Sequence, residues 1–356
     1  MKDVIVVGAG PVGSHLAKSM AEKEYDVLVI ERSKEIGRPL ACSGHVSPDI
    51  KNFLSEEEFN DIFQNEIKEA VFHSGGKEYS FYSEEVVSYV IDRVGLDRKK
   101  ASQAEKAGAE IKVGETVEKV EEKDDHVLVE TDKETYEAST VAGCDGASST
   151  VRSEVSLEEP DHFYQGILCF TDEEDGSDNV DVMLDVPEFF GWRIPRGDSV
   201  EYGVGVPRGE DPMKWLDEVT EKFDVKKEDR RDICAGAIPV RPPEKVTTDR
   251  VFLVGDSAGQ TKPFTGGGIL YGMRSAEIAS EVIDPEDPDL EAYEEAWREE
   301  LRTDILLGGF IEKMYSMPGI FQRLGMWIFQ GEIGVHMDRP TSIVSRNQLK
   351  AMLPWR

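Results

Sequence analysis

Asp3-Val-Ile-Val-Val-Gly8-Ala-Gly10-Pro11-Val-Gly13-Ser14, a helix-forming run over residues 15–23, and Tyr25-Asp-Val-Leu-Val-Ile-Glu31 together decide the fold. Residues 4–7 are a short β-branched run of the kind that fills a parallel strand buried on both faces. Gly8, Gly10 and Gly13 then supply a tight turn, close approach of backbone to a pyrophosphate, and close packing of helix on strand; Pro11 belongs to the same turn. The helix that follows offers unpaired N–H groups and the positive end of its dipole to phosphates. Glu31 closes the unit at the end of the second strand, placed to accept hydrogen bonds from a ribose hydroxyl. A bare G-x-G-x-x-G is a weak signal, but strand, turn, helix and distal acid in this order predict a dinucleotide site.

The chain around this unit has 356 residues, enough for a large core and two intimately joined domains. Its 72 acidic residues outnumber 41 basic ones, giving a net charge of −31 spread over the whole length. That imbalance reads as salt adaptation, since in molar salt the screening length falls to about 3 Å and self-repulsion is suppressed; an ordinary acidic cytosolic protein is the plainer alternative. No basic stripe could neutralise phosphates, so a nucleic-acid partner is not expected. Cys42, Cys144, Cys169 and Cys234 are scattered without C-x-x-C spacing, which argues against a metal or iron–sulfur site. The first strand begins almost at once, leaving no room for a cleavable signal, and no run of about 18 apolar residues exists. These features predict a cytoplasmic protein, at most peripheral on the inner face of the membrane.

Beyond Glu31, Arg32-Ser-Lys-Glu-Ile-Gly-Arg-Pro-Leu-Ala-Cys42-Ser-Gly44 is a loop placed to lie over the cofactor, and Arg32 and Cys42 are candidates to contact it. Residues 49–64 read as an acidic helix and 69–80 as a hairpin around Gly75-Gly76. Arg93, which at a helix start commonly serves as a surface ion-pair partner, is kept as a cofactor-site candidate. Segments near residues 115–121, 126–131 and 134–139 read as a meander inserted in the dinucleotide fold, and residues 140–152 return to a short apolar strand with an Asp145-Gly146 turn. Residues 155–240 change to short alternating strands, a second, largely antiparallel layer. Residues 250–259 form another buried strand ending in Gly-Asp256, followed by a Gly266-Gly267-Gly268-Ile269 loop and a long helix.

Three separated motifs, Gly8-x-Gly10-x-x-Gly13 with Glu31, Cys144-Asp145-Gly146 with Ser149 and Arg152, and Gly255-Asp256-Ser257-Ala258-Gly259, resemble the flavoproteins that include p-hydroxybenzoate hydroxylase and the geranylgeranyl reductases. The resemblance implies FAD, with Asp256 on its ribityl chain. It also implies that the Lys262-Pro-Phe-Thr-Gly266-Gly267-Gly268-Ile269 loop approaches the isoalloxazine. Within this group, Pro187-Glu-Phe189-Phe190-Gly-Trp192-Arg-Ile194-Pro195 is similar to the P-x-x-Y-x-W-x-F-P signature of geranylgeranyl reductases, and residues 37–44 to their cysteine-bearing loop. Phe190 stands where tyrosine is usual and Ile194 where phenylalanine is, which keeps the wall apolar and removes a hydroxyl. The archaeal digeranylgeranylglycerophospholipid reductases are the nearest group.

The fold so implied is α/β: a discontinuous Rossmann-like FAD-binding domain (residues 1–65, 88–154 and 245–284), a mainly antiparallel substrate domain (66–87 and 155–244) and a C-terminal helical region (285–356). The implied reaction saturates isoprenoid double bonds in geranylgeranyl chains of archaeal ether lipids or their precursors. An isoprenoid alkene is not carbonyl-activated, so it needs a strong hydride donor and an apolar slot; Phe189, Phe190, Trp192 and Phe264 are the aromatic candidates for it. Cys42 is the one catalytic candidate, without an assigned proton-donor role. An aromatic monooxygenase of the same fold and a non-catalytic flavin-bound lipid carrier are the alternatives. With no second dinucleotide fingerprint, NAD(P)H, ferredoxin and reduced deazaflavin all stay open as electron donors. Residues 305–329 carry apolar side chains at i, i+3 and i+4 spacing, interrupted by Gly308-Gly309, Pro318-Gly319 and Gly325. They predict broken amphipathic helices that cap a prenyl tunnel and touch the membrane surface without crossing it.

Overall fold

Lys2–Val7 forms the first strand, with Val4 to Val7 buried on both faces as their β-branched run requires. It pairs in parallel with Val27–Glu31 on one side and Thr135–Gly143 on the other. The computed structural model describes residues 1–40, 42–332 and 338. Around the first strand, a seven-stranded sheet adds Glu110–Val113 beyond Val27–Glu31 and the antiparallel strands Val127–Thr131 and Val117–Glu122 beyond Thr135–Gly143. The residues 134–139 and 140–143, read from sequence as separate segments, are one nine-residue strand. Its first half pairs with the meander and its second half in parallel with Val251–Leu253.

The helices Pro11–Ala21, Arg93–Ala107 and Ile269–Val282 bury residues such as Leu16, Met20, Ala104, Met273 and Ala276. A second sheet runs, in spatial order, through Arg231–Val240, His162–Thr171, Val200–Pro207, Gly191–Pro195, Asn179–Met183, Glu69–Ser74, Lys77–Tyr82 and Gly331–Glu332. It is antiparallel except where Asn179–Met183 meets Glu69–Ser74 and Gly331–Glu332 meets Lys77–Tyr82. A small third sheet joins His45–Val46, Ser88–Ile91 and Phe63–Ile67.

Two local expectations are corrected. Residues 49–64 are not one helix: a 3₁₀ turn Pro48–Phe53 is followed by the helix Glu56–Ile62, started by a Ser55/Glu58 capping box, and then by a strand from Phe63. Gly308-Gly309 does not break the C-terminal helix, which runs unbroken over Leu290–Tyr315; Gly325 likewise lies inside the helix Gly319–Phe329. Of the expected breaks only Pro318-Gly319 holds: Ser316, Met317 and Pro318 separate the two helices, and Pro318, without an N–H, precedes the second. The rest of the expected C-terminal helical region, residues 333–337 and 339–356, lies outside the described residues. Among the described residues no helix is long and apolar enough to cross a membrane, and no group of three or more His, Cys, Asp or Glu could hold a metal ion.

Candidate active site

Three glycines at the end of the first strand carry three different constraints. Gly8 has φ +103°, and a Cβ there would lie 2.5 Å from the Cys144 carbonyl oxygen; a Cβ at Gly13 would lie 2.0 Å from the Gly8 carbonyl oxygen. Both positions are closed to side chains by the protein's own backbone. Gly10 is different: its φ is an ordinary −67° and a Cβ would meet nothing within 4 Å. The space in front of it lies at the N-terminus of Pro11–Ala21, which has no side-chain cap and no acid in its first turn. An anion would find unpaired N–H groups there. The Glu31 carboxylate is fixed at the same turn by the backbone N–H groups of Ala9 (2.8 Å) and Ser33 (2.7 Å), and keeps lone pairs for a further donor. Arg32, just beyond it, is exposed.

The other polar groups of the cradle follow along the same sheet edge. One Asp145 oxygen accepts the N–H groups of Thr150 and Val151, while the second is buried without a hydrogen-bond partner among the described residues. Gly146 beside it has open space where a Cβ would be. Among the described residues nothing hydrogen-bonds to the Asp256 carboxylate; burial pushes its pKa up, and the Arg93 charge pulls it back. A Cβ at Gly268 would lie 2.4 Å from an Asp256 oxygen, so only glycine lets the Gly266–Gly268 backbone come that near. Ile269 then opens a helix with no side-chain cap. Arg93 is ion-paired as its helix position suggested, but it is not a surface residue. Its side chain is 13% exposed, forks onto Asp97 at 2.9 Å and borders Cys42.

Facing the Gly266 turn is an aromatic wall. A Cβ at Gly266 would lie 3.2 Å from the Phe189 ring, which is itself stacked between Tyr164 (centroids 4.3 Å) and Phe190 (4.2 Å). The wall rests on a floor without side chains: Phe189 lies over Gly205 and Trp192 over Gly203. Helix Leu290–Tyr315 closes over it. Its buried Glu312 accepts from the Tyr164 hydroxyl (2.5 Å) and from Arg241 (2.6 Å), and the Tyr315 hydroxyl donates to the Phe264 carbonyl (2.7 Å). Burial, reinforced by the Glu312 charge, drives both tyrosine pKa values upward, so both stay neutral hydrogen-bond donors. Phe264 packs against Gly308 of that helix, where a Cβ would come within 3.0 Å of its ring. Of the glycine pair taken for a break, Gly308 is therefore a close-packing point, while Gly309 faces open space.

Two family models match the chain: a pyridine nucleotide-disulphide oxidoreductase model over residues 5–165, and an FAD binding domain over residues 88–280. The chain is 32% identical over 343 residues to a digeranylgeranylglycerophospholipid reductase of Methanocaldococcus jannaschii, covering 88% of this chain and 87% of the relative. It is 34% identical over 342 residues to the reductase of the same name from Methanosarcina acetivorans, covering 85% and 82%. The chain belongs to the digeranylgeranylglycerophospholipid reductase family. A geranylgeranyl bacteriochlorophyll reductase-like protein of Thermoplasma acidophilum shares the fold, with a TM-score of 0.85 over 99% of each chain at 22% identity.

FAD is the cofactor of this reductase family's fold, and the chain fits it on its own atoms. The open space at Gly10, the uncapped helix start, the orphaned Asp145 oxygen and the Asp256 carboxylate, both without a partner among the described residues, together ask for an extended ligand with phosphates and hydroxyls. The structure brings Gly8, Gly10, Pro11, Gly13, Glu31, Asp145, Gly146, Asp256 and residues 266–269 to one edge, with Arg93 and Cys42 beside them and Arg32 outside, facing solvent. Sequence reasoning missed Asp97, Tyr164, Glu312 and the Arg196–Glu201 pair. Glu201 had a signal: a lone acid in the apolar strand Val200–Pro207 is buried, and a buried acid needs partners.

Proposed function

We propose that this chain saturates isoprenoid double bonds in the geranylgeranyl chains of archaeal ether lipids or their precursors. The observation that carries this reading is the stacked Tyr164–Phe189–Phe190 wall set against the Gly266 turn, at the carboxyl edge of the sheet that ends in Asp256. When bound and reduced, FAD supplies the hydride that an unactivated alkene requires. The protein's share is to exclude water and to hold the alkene in line. Phe190, Trp192 and Phe264 give it an apolar slot backed by Phe189, and the glycine floor lets the Phe189 and Trp192 rings lie close to the sheet, which leaves the slot its width. Gly10 and the helix start take the pyrophosphate, Glu31 a ribose hydroxyl, and Asp256 the ribityl hydroxyls, while Cys42 lies on the flavin side of the slot.

The cap supplies the route from lipid. Leu306, Phe310, Ile320, Phe321, Leu324, Trp327, Ile328 and Phe329 on the two C-terminal helices, and Met317 between them, are all exposed, and the first of these helices closes over the wall. Such an apolar face suits the surface of a bilayer, from which isoprenoid chains can pass under the cap without crossing water. The charge of −31 opposes docking on anionic lipid in dilute buffer and is screened in concentrated salt, which fits a protein adapted to salt.

The test is lipid analysis after co-expression with a pathway that makes unsaturated archaeal ether lipids. The expected result is lipids that gain two hydrogens per isoprene unit. Unchanged lipids beside a folded, FAD-loaded protein, with a reductant proven to reduce its flavin, would overturn the proposal.

A further inference from the structure

Arg196 and Glu201 are buried to 5% and 0% exposure, yet neither belongs to the cradle or to the aromatic wall. Their contacts reach both. The Arg196 guanidinium donates to Glu201 (2.9 Å), to the Gln64 side chain (2.6 Å), to the Ile91 carbonyl (3.0 Å) and to the Ser43 carbonyl. The other Glu201 oxygen accepts the Trp192 indole N–H at 2.8 Å. Ser43 follows Cys42 in the cysteine-bearing loop. Ile91 ends the strand that leads to Arg93, and its own N–H donates to the Gly44 carbonyl at 3.0 Å. One ion pair therefore clasps the loop at Ser43, the approach to Arg93, and the indole that lies flat on Gly203.

A buried ion pair is a poor way to gain stability, because desolvating two charges cancels most of their attraction; well-packed apolar residues do as well or better. What the pair gives is direction, since a guanidinium with fixed donors and a carboxylate with two used oxygens define positions that apolar packing leaves loose. The Phe170 ring under Arg196, 5.5 Å from centroid to guanidinium carbon, holds the fork in its plane.

We propose that Arg196 and Glu201 are positioning residues that lock Trp192 of the substrate wall and the Cys42 loop into one unit, fixing the width of the slot between wall and flavin. The proposal rests on the functional reading above, but it is tested without lipid turnover. The probe is iodoacetamide on the FAD-loaded enzyme, with alkylation of Cys42 followed by peptide mass spectrometry.

Arg196→Lys keeps a cation for Glu201, and so keeps Trp192 in place, but it cannot span Ser43, Ile91 and Gln64. Cys42 should then alkylate about tenfold faster through easier local opening of its loop, with flavin content and melting temperature close to wild type. Arg196→Met with Glu201→Leu removes both charges at similar volume, and its fold should survive. Here Cys42 should be faster again, and Trp192, free of its acceptor, should also shift in fluorescence. On lipid substrate the Arg196→Lys enzyme should lose kcat with KM held, and the double variant should lose in both. If Arg196→Lys alkylates at the wild-type rate, the pair is structural only and the proposal fails, whether or not the double variant folds. If alkylation rises as expected but no lipid is reduced by wild type, the functional reading fails and the positioning role stands.

Discussion

At Gly13 a Cβ would sit 2.0 Å from a backbone oxygen, whereas in the cap helix Gly319–Phe329 the one buried side chain is Gln322. The cradle is defined by backbone that comes so close that the residue type has no freedom. The cap is defined by side chains that touch almost nothing. The first kind of constraint is written in the sequence as a motif with fixed spacing, the second only as an apolar pattern that does not say what it meets. Each makes a different use of glycine: in the cradle Gly8 and Gly13 admit the protein's own backbone and Gly10 leaves room for a ligand, while in the cap Gly308 lets a helix press on the Phe264 loop.

The sharpest way to break this contrast is within the cradle itself. Gly13→Ala should cost about 3 kcal/mol or more, since its Cβ meets rigid backbone and the helix Pro11–Ala21 must shift off the strand. Gly10→Val should leave the apoprotein within about 1 kcal/mol of wild type, because the space is open and the backbone ordinary. Its flavin affinity should nonetheless fall by about two orders of magnitude, the side chain standing where the pyrophosphate lies. Chemical denaturation of both apoproteins, with flavin titration of the second, checks the pair. A Gly10→Val protein that purifies with stoichiometric FAD would show that the phosphates lie elsewhere.

A smaller effect is expected at Asp256. Its carboxylate is unpaired by protein among the described residues, so its removal costs the fold little and the ligand more. Asp256→Ala should weaken FAD by roughly 1.5–3 kcal/mol, the range for a hydrogen bond to a charged group. Because burial raises the pKa of this carboxyl, flavin affinity of wild type should also decline on the acid side, as the acceptor becomes protonated, and that decline should vanish in Asp256→Ala. Titrations across the acid range measure both at once.

How much of this was legible follows the same division. The strand from Lys2, the Glu31 turn and the glycine edge were readable because backbone sterics and a phosphate site demand those residues at that spacing. Strands 162–171, 191–195 and 200–207 announced themselves by alternation. Residues 49–64 misled because a helix-like acidic run hides a Pro48 turn and a capping box that restarts the helix at Glu56. Gly308-Gly309 misled because a glycine that breaks a helix and one that admits a neighbour look alike until the neighbour, here Phe264, is known. Glu312, Tyr164 and Arg241 are far apart in the chain, and only the closure of a C-terminal helix over the second sheet brings them together.

The smallest effect on the fold, and the most telling contrast with Gly13, is expected at Phe321 and Trp327. They are 58% and 64% exposed, on a helix that is held to the body by its opposite face, where Gln322 donates to the Tyr315 carbonyl and Arg323 approaches the Gly75 turn. Replacing both by glutamate removes little packing, so unfolding free energy should move by no more than about 0.5 kcal/mol per substitution. Flavin content should be unchanged, since neither side chain belongs to the cradle. On the proposed docking, membrane contact should change completely: two exposed aromatics become two charges, and the apolar face loses its centre. In liposome flotation at molar salt, where the screening length of about 3 Å removes the general repulsion, wild type should float with the vesicles and Phe321→Glu/Trp327→Glu should not. Turnover of lipid embedded in those vesicles should fall with it, while turnover of detergent-dispersed lipid should persist. If the double variant floats and turns over embedded lipid like wild type, the cap does not dock on lipid. If instead it unfolds easily, the exposed face is the core of an assembly, and the cap joins the cradle as a region fixed by protein contacts.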